Sequence, residues 1–228
     1  MPEIDRVLRE KLYSLYARYY AAADRETFER DLNGKDSAFL VWDGDQLAGF
    51  STLQVSRTLL DGAPIRVAYS GDTIIERAYW GSTAFSFAWV RHMGRLAAQE
   101  DAPLFWLLIV KGWRTYRYLA TFGLEFVPDW RKPDHPSLAR LRDALALSQF
   151  GAAYDCSAGL VRYSNSQGHL ASPWAVPSER EARRPDVEFF LSRNPGYVRG
   201  DELVCLIELS SANMRPLTRR LFEQGTAK

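Results

Sequence analysis

Apolar side chains recur through residues 4–21 at Ile4, Leu8, Leu12, Leu15, Tyr16 and Tyr19, a spacing of three and four that predicts an amphipathic helix with one buried stripe. A second helix follows Asp24, which suits an N-cap, and uses Phe28 and Leu32 before Asn33-Gly34 stops it. The pattern then changes to that of strands. Segments 38–42 and 46–56 flank the turn pair Asp43-Gly44, and Asp61-Gly62 separates the second from a third at 65–76, so an antiparallel meander is expected. Helical spacing returns over 83–98 through Phe85, Ala88, Trp89, Met93, Leu96 and Ala97. Residues 104–110 (Leu-Phe-Trp-Leu-Leu-Ile-Val) contain no polar side chain, as a strand covered on both faces requires. A short helix over 113–122, closed by Gly123, leads to a strand at 124–127.

Beyond residue 130 the pattern predicts a helix over 137–150, a strand at 159–163, a proline-interrupted stretch at Pro173, Pro177 and Pro185, a strand at 203–209 and a helix from Pro216. Charge-rich Ser178–Arg184 reads as the mobile segment. A lone strand cannot bury itself, so 203–209 is expected to join the same sheet as the meander. The fold class is therefore α/β (α+β): one domain over 1–228, with a mixed central sheet flanked by helices, a core at about 1–130 and a carboxy-terminal extension at about 131–228 that completes the sheet.

Charge narrows the partners. The 29 basic and 28 acidic residues are interspersed and leave a formal net charge of +1, so no long-range field recruits nucleic acid or an anionic membrane. Two cysteines, Cys156 and Cys205, do not make a disulfide framework in a chain of 228 residues, and a reduced, cytoplasmic protein is expected. Charged Asp5 and Arg6 precede the first helix where a signal peptide would be apolar, and the run at 104–110 is too short to span a bilayer. Three isolated histidines and two distant cysteines give no zinc-ligand spacing, so no metal is expected. Neither a Walker A loop nor a Gly-x-Gly-x-x-Gly fingerprint is present. Trp80, Trp89, Trp106, Trp113 and Trp130 read chiefly as core packing.

The order helix, helix, three-strand meander, helix, buried strand, helix, strand is similar to the Gcn5-related N-acetyltransferase (GNAT) superfamily, and three local stretches coincide with it in register. Residues 39–50 (FLVWDGDQLAGF) resemble that family's second hairpin. Residues 73–81 (TIIERAYWG) resemble its fourth strand and the turn into its cofactor-binding helix, and residues 116–126 (YRYLATFGLEF) resemble the end of its fourth helix. The resemblance implies an acyltransferase that uses acetyl-CoA or another acyl thioester, the donor being coenzyme A or an acyl carrier protein, with a small-molecule amine as acceptor. It places the donor's pyrophosphate on Trp80, Gly81, Ser82, Thr83 and Ala84, where unpaired N–H groups and the helix dipole favour an anion. Here Trp80 stands at the family's Arg, Thr83 at its first glycine and Phe85 at its second, so crowding and weak coenzyme A binding are expected, with Kd above roughly 100 μM.

An N-acyl transfer also needs a base for the amine and an acid for the departing sulfur. Asp72 and Glu76 lie four apart on one strand, hence on one face, and either can serve as base; both also suit ordinary strand-end roles. The family's acid, a Tyr four residues before the glycine, aligns with Leu119, while Tyr118 lies one position off and Tyr116 is a possible substitute. Arg91 and Arg95, one turn apart, are candidates for phosphates among the basic residues Arg77, Lys111, Arg114 and Arg117. The competing reading is a GNAT-like fold that has lost catalysis and binds a ligand or partner.

Overall fold

The computed structural model describes residues 4–22 and 24–226. Helix α1 (Arg6–Tyr19) starts where the Asp5 carboxylate accepts from the Leu8 N–H at 2.7 Å, and it buries Leu12, Leu15, Tyr16 and Tyr19. It runs into a two-residue strand, β1 (Tyr20–Ala21). Asp24 caps α2 (Arg25–Asn33) in the same way, through the Thr27 N–H at 2.8 Å. The meander is β2 (Ser37–Asp43), β3 (Gln46–Leu60) and β4 (Ala63–Ile75). Then come α3 (Ala84–Ala97), β5 (Leu104–Val110), α4 (Trp113–Phe122) and α5 (Pro136–Phe150). The extension continues through β6 (Tyr154–Asp155), β7 (Leu160–Val161), β8 (His169–Leu170), α6 (Ser172–Ala175), α7 (Glu179–Ala182), α8 (Pro185–Arg193), β9 (Glu202–Glu208) and α9 (Pro216–Thr226).

Among the described residues these strands form a seven-stranded mixed sheet in the order β2-β3-β4-β5-β9-β7-β6, and a separate pair, β1-β8. Within the larger sheet β4 and β5 are parallel, whereas the other neighbours are antiparallel. The parallel ladder runs only from Arg66↔Leu104 to Ser70↔Leu108, although β4 continues to Ile75 and β5 to Val110. The two central strands therefore part at their carboxy-terminal ends. This is the mixed α/β arrangement, a central sheet flanked by helices, expected from the residue pattern.

β5 is wholly apolar because it is covered on both sides. Trp106, Leu108 and Val110 pack with Trp89, Met93, Trp113, Cys205 and Ile207 on one face, while Phe105 and Leu107 pack with Val67, Tyr69, Leu141, Val204 and Leu206 on the other. A third cluster joins α1 and α2 to the meander through Leu12, Tyr16, Phe28, Phe50 and Ile74.

Four details differ from expectation, the first being that the proline-interrupted stretch holds a nine-residue helix, α8, with Pro185 at its start. Residues 124–127 form no ladder: Val127 makes one isolated bridge to Leu206 and packs in one core, Phe126 packs in the opposite one, and Pro128, which has no N–H to donate, follows directly. The expected strand at 159–163 pairs only through Leu160–Val161. Within 178–184, read as mobile, Ser178 and Glu181 form a reciprocal capping box that starts α7. Among the described residues no helix is long and apolar enough to cross a membrane, and no group of His, Cys, Asp and Glu could hold a metal ion.

Candidate functional site

Where β4 and β5 part, a cleft of about 770 Å³ opens between them and is closed in by α1, α2, α4 and the extension. One end is the turn leading into α3. There Gly81 adopts φ +87°, a conformation that side-chain-bearing residues rarely take, and turns the chain from β4 toward the helix. The Ser82 Oγ accepts from the Ala84 N–H at 3.3 Å, and Phe87, at 2.9 Å from the Thr83 carbonyl, makes the first full helical bond. The Phe85 and Ser86 N–H groups thus precede the hydrogen-bonded ladder at the positive end of a helix. Trp80 lies beside this turn; its Nε1 donates to the Ile75 carbonyl at 2.8 Å, and the Arg114 guanidinium sits 4.6 Å from its ring centre. Trp80, Gly81, Ser82, Thr83, Arg114 and Arg117 all line the cleft.

Phe85 does not crowd this place. Its side chain is buried in the core and meets the Phe39 ring edge-on at 5.6 Å, because the position after the first helical residue faces the sheet. One of the two grounds for expecting weak coenzyme A binding is thereby removed. Thr83 remains, exposed at the helix start.

The expected carboxylate pair is separated. Asp72 lies on β4 past the last parallel rung, half-buried in the cleft wall, and among the described residues its carboxylate takes part in no ion pair. Burial, with the Asp31 carboxylate nearby, pushes it up to about 7, against the pull of Lys111 and Lys35. Glu76 does not share this face. β4 ends at Ile75 and the chain turns into a 3₁₀ segment at Arg77–Tyr79, so strand alternation no longer governs Glu76. It opens onto a separate groove, pairs with Arg18 and accepts from the Tyr19 hydroxyl at 2.7 Å.

The two tyrosines of α4 also diverge. Tyr116 is 1% exposed and its hydroxyl donates to the Pro128 carbonyl at 2.8 Å, so it is a core side chain outside the cleft. Tyr118 lines the cleft, stacked on Phe122 at 5.3 Å, and burial raises its phenol above the ordinary value. Leu119, which aligns with the family's Tyr, is fully buried in the core. Ala84 starts α3 but lies outside the cleft lining. Arg91 and Arg95 lie roughly 10 and 16 Å farther along the α3 axis. Arg91 Nε donates to Gln224 of α9 at 2.9 Å and Arg95 is exposed in the last turn, so neither reaches the cleft.

At the inner end of the cleft the sequence reading named Asp72 and, among the basic candidates, Lys111, but missed Asp31, Lys35 and Glu202. Lys111 follows β5 and Glu202 starts β9; their side chains are 14% and 4% exposed and pair at 2.8 Å. Although burial alone would lower it, the Lys111 ammonium is held well above its usual value by Glu202. Lys35, 4% exposed after α2, pairs with Asp31. Tyr16, Tyr20, Tyr69 and Tyr163 complete the wall. A lysine after an all-apolar strand and a glutamate before another were the available signals, but only the β5–β9 pairing brings them together.

No family model matches the sequence, and no curated protein matches it. Among solved structures, the chain is similar to a conserved protein of unknown function and probable N-acyltransferase from Enterococcus faecalis, with a TM-score of 0.42 and 17% identity over 54% of this chain and 31% of that one. It is also similar to a GCN5-related N-acetyltransferase from Kribbella flavida, with a TM-score of 0.40 and 20% identity over 54% of this chain and 32% of that one. An aminoglycoside 6'-N-acetyltransferase complexed with coenzyme A matches with a TM-score of 0.42 and 11% identity over 92% of this chain and 95% of that one. The chain spans about a third of the length of the first two of these. The likeness is one of chain path and assigns no residue.

Proposed function

We propose that the protein is an acyltransferase that moves an acyl group from coenzyme A, or from the phosphopantetheine thioester of a carrier protein, to the amine of a small molecule. The observation that carries this reading is Asp72: a carboxylate without an ion-pair partner among the described residues, pushed up to about 7, at the point where two parallel strands part. A base with that affinity takes a proton near neutrality and releases it again. The parting strand edges expose backbone groups that suit an extended pantetheine chain. The residues suit its phosphates: Ser82, Thr83 and Ser86 at the start of α3 line the cleft, as do Arg114 and Arg117.

When bound, the thioester supplies an activated carbonyl carbon. Asp72 then receives the proton of the attacking amine at its carboxylate, directly or through water. Tyr118, kept protonated by burial, holds a proton at its hydroxyl for the departing sulfur. Glu76, Tyr116, Arg91 and Arg95 have no part in this assignment, because none reaches the cleft.

Replacing Asp72 with Asn is expected to lower turnover by about 10² to 10⁴, with acetyl-CoA affinity by calorimetry changed less than about threefold. The wild-type rate should rise through a limb near pH 7 that the variant lacks. Wild-type turnover in the variant would remove Asp72 as the base. The second reading, a binding module without catalysis, is favoured by Thr83 and Trp80 at the family's Gly and Arg positions; it predicts no turnover with any amine while ligands still bind.

A further inference from the structure

Apart from Arg30, which is exposed at the rim and donates to the Thr27 hydroxyl, the cleft holds five charged side chains that the donor-binding turn does not use: Asp31, Lys35, Asp72, Lys111 and Glu202. They act on one another, since Asp72 feels Asp31, Lys111, Lys35 and Glu202 together. Three carboxylates against two ammonium groups leave one net negative charge with Asp72 ionised. Both ammonium groups are already taken, Lys35 by Asp31 and Lys111 by Glu202 Oε1. Two acceptors remain open. Asp72 has no ion-pair partner among the described residues, and Glu202 Oε2 is fully buried with no hydrogen-bond partner, on a residue 3% exposed. An unpaired carboxylate oxygen held this deeply is costly unless something supplies a donor.

We propose that this compartment is the acceptor-binding site for a hydroxylated monoamine, with the amine at Asp72 and a hydroxyl donating to Glu202 Oε2. The proposal rests on the acyltransferase reading only in taking this cleft as the acceptor's side. Charge selects the class. One ammonium brings the compartment to neutrality, and Tyr16, Tyr20, Tyr69 and Tyr163 offer ring surface that tolerates a cation, as Lys111 at 5.6 Å from the Tyr20 ring centre and Lys35 at 5.2 Å from that of Tyr69 already do. An amino acid would add a carboxylate beside Asp72 and Glu202, and a diamine would leave an uncompensated positive charge next to Lys111. The remaining donor to Oε2 should therefore be uncharged. Glu202 lies in the extension, outside the stretches that resemble the GNAT family, so specificity is set from β9 while the donor is held from α3.

The test is calorimetry without any acyl donor, so that it does not depend on catalysis. A homologous series of linear amino alcohols, with the matching alkylamines, diamines and ω-amino acids, is titrated into the intact protein at about pH 8.5, where Asp72 is ionised. The best amino alcohol should bind about tenfold or more tightly than its alkylamine, with diamine and amino acid weaker than the amino alcohol. In the paired variant Lys111→Met with Glu202→Leu, which exchanges a buried ion pair for apolar side chains of similar size, the hydroxyl preference should fall toward unity. Equal binding of amino alcohol and alkylamine, tighter binding of the amino acid or diamine, or no binding by the panel overturns the proposal on the wild-type protein alone. So does a folded paired variant that keeps the preference. Binding as expected without turnover on any thioester would instead overturn the acyltransferase reading and leave this site standing.

Discussion

An Asp that titrates near 7 still holds its proton where the unfolded chain, titrating at 3.8, has lost it. Between those values the folded state binds more protons than the unfolded one, so stability falls as pH rises through the window and is level above it. The shift corresponds to roughly 4 kcal/mol, which partial access to water cuts to about 1–2 kcal/mol. Asp72→Asn should therefore raise stability by about that much at pH 8 and change it little near pH 3, as read from urea unfolding at both values; an equal effect at the two would show that burial of the charge is not the cause. A carboxylate kept at this expense is consistent with a function for it. Asp72 was legible in the chain as a strand carboxylate, whereas Glu76 was misplaced by a strand that ends one residue early. The Lys111–Glu202 pair was illegible, because its members are remote in sequence and only sheet register joins them.

At the scale of elements, α3 is held at the height of the cleft by α9. A Cβ on Gly94 would lie 2.0 Å from the Phe222 carbonyl oxygen, and one on Gly225 would lie 2.0 Å from that of Arg91, so the helices touch backbone to backbone at two points. Gly94→Ala must push them apart and should cost about 3 kcal/mol, seen as a lower urea midpoint with unchanged slope. Because the same helix begins at the Ser82–Thr83 turn, acetyl-CoA binding should weaken with it; an unaltered midpoint would show that α9 can retreat freely. The long strands, α1 to α5, α9 and the buried β5 were legible because each runs for enough residues to display a period, whereas α8, as long as α2, was hidden by the proline at its start. The pairs β1-β8 and β6-β7 were not, since two residues have no period to read. Residues 124–127 misled for the related reason that four residues with apolar ends resemble a strand whether or not a partner is in register.

In the whole molecule, β9 connects the part that resembles a known family to the part that does not. It pairs with β5 over Phe105↔Glu208 to Val110↔Leu203 and with β7 through Leu160 and Val161. Its side chains supply both cores: Leu203, Cys205 and Ile207 pack on one face, Val204 and Leu206 on the other. Removing it would expose one whole edge of β5, a strand with no polar side chain, and empty two clusters at once. We infer that the core and the extension form one cooperative domain. Tryptophan fluorescence and far-ultraviolet dichroism should then give coincident urea transitions, and the amides of β5 and β9 should exchange with the same opening free energy. A chain cut after Gly200, which keeps the Ser82–Thr83 turn but loses β9, should fail to give a cooperative transition. Two separated transitions, or β9 amides that exchange well before those of β5, would instead make the extension a dispensable layer. Such a layer could not hold Glu202 rigidly against Lys111, and the division of labour between α3 and β9 would fall with it.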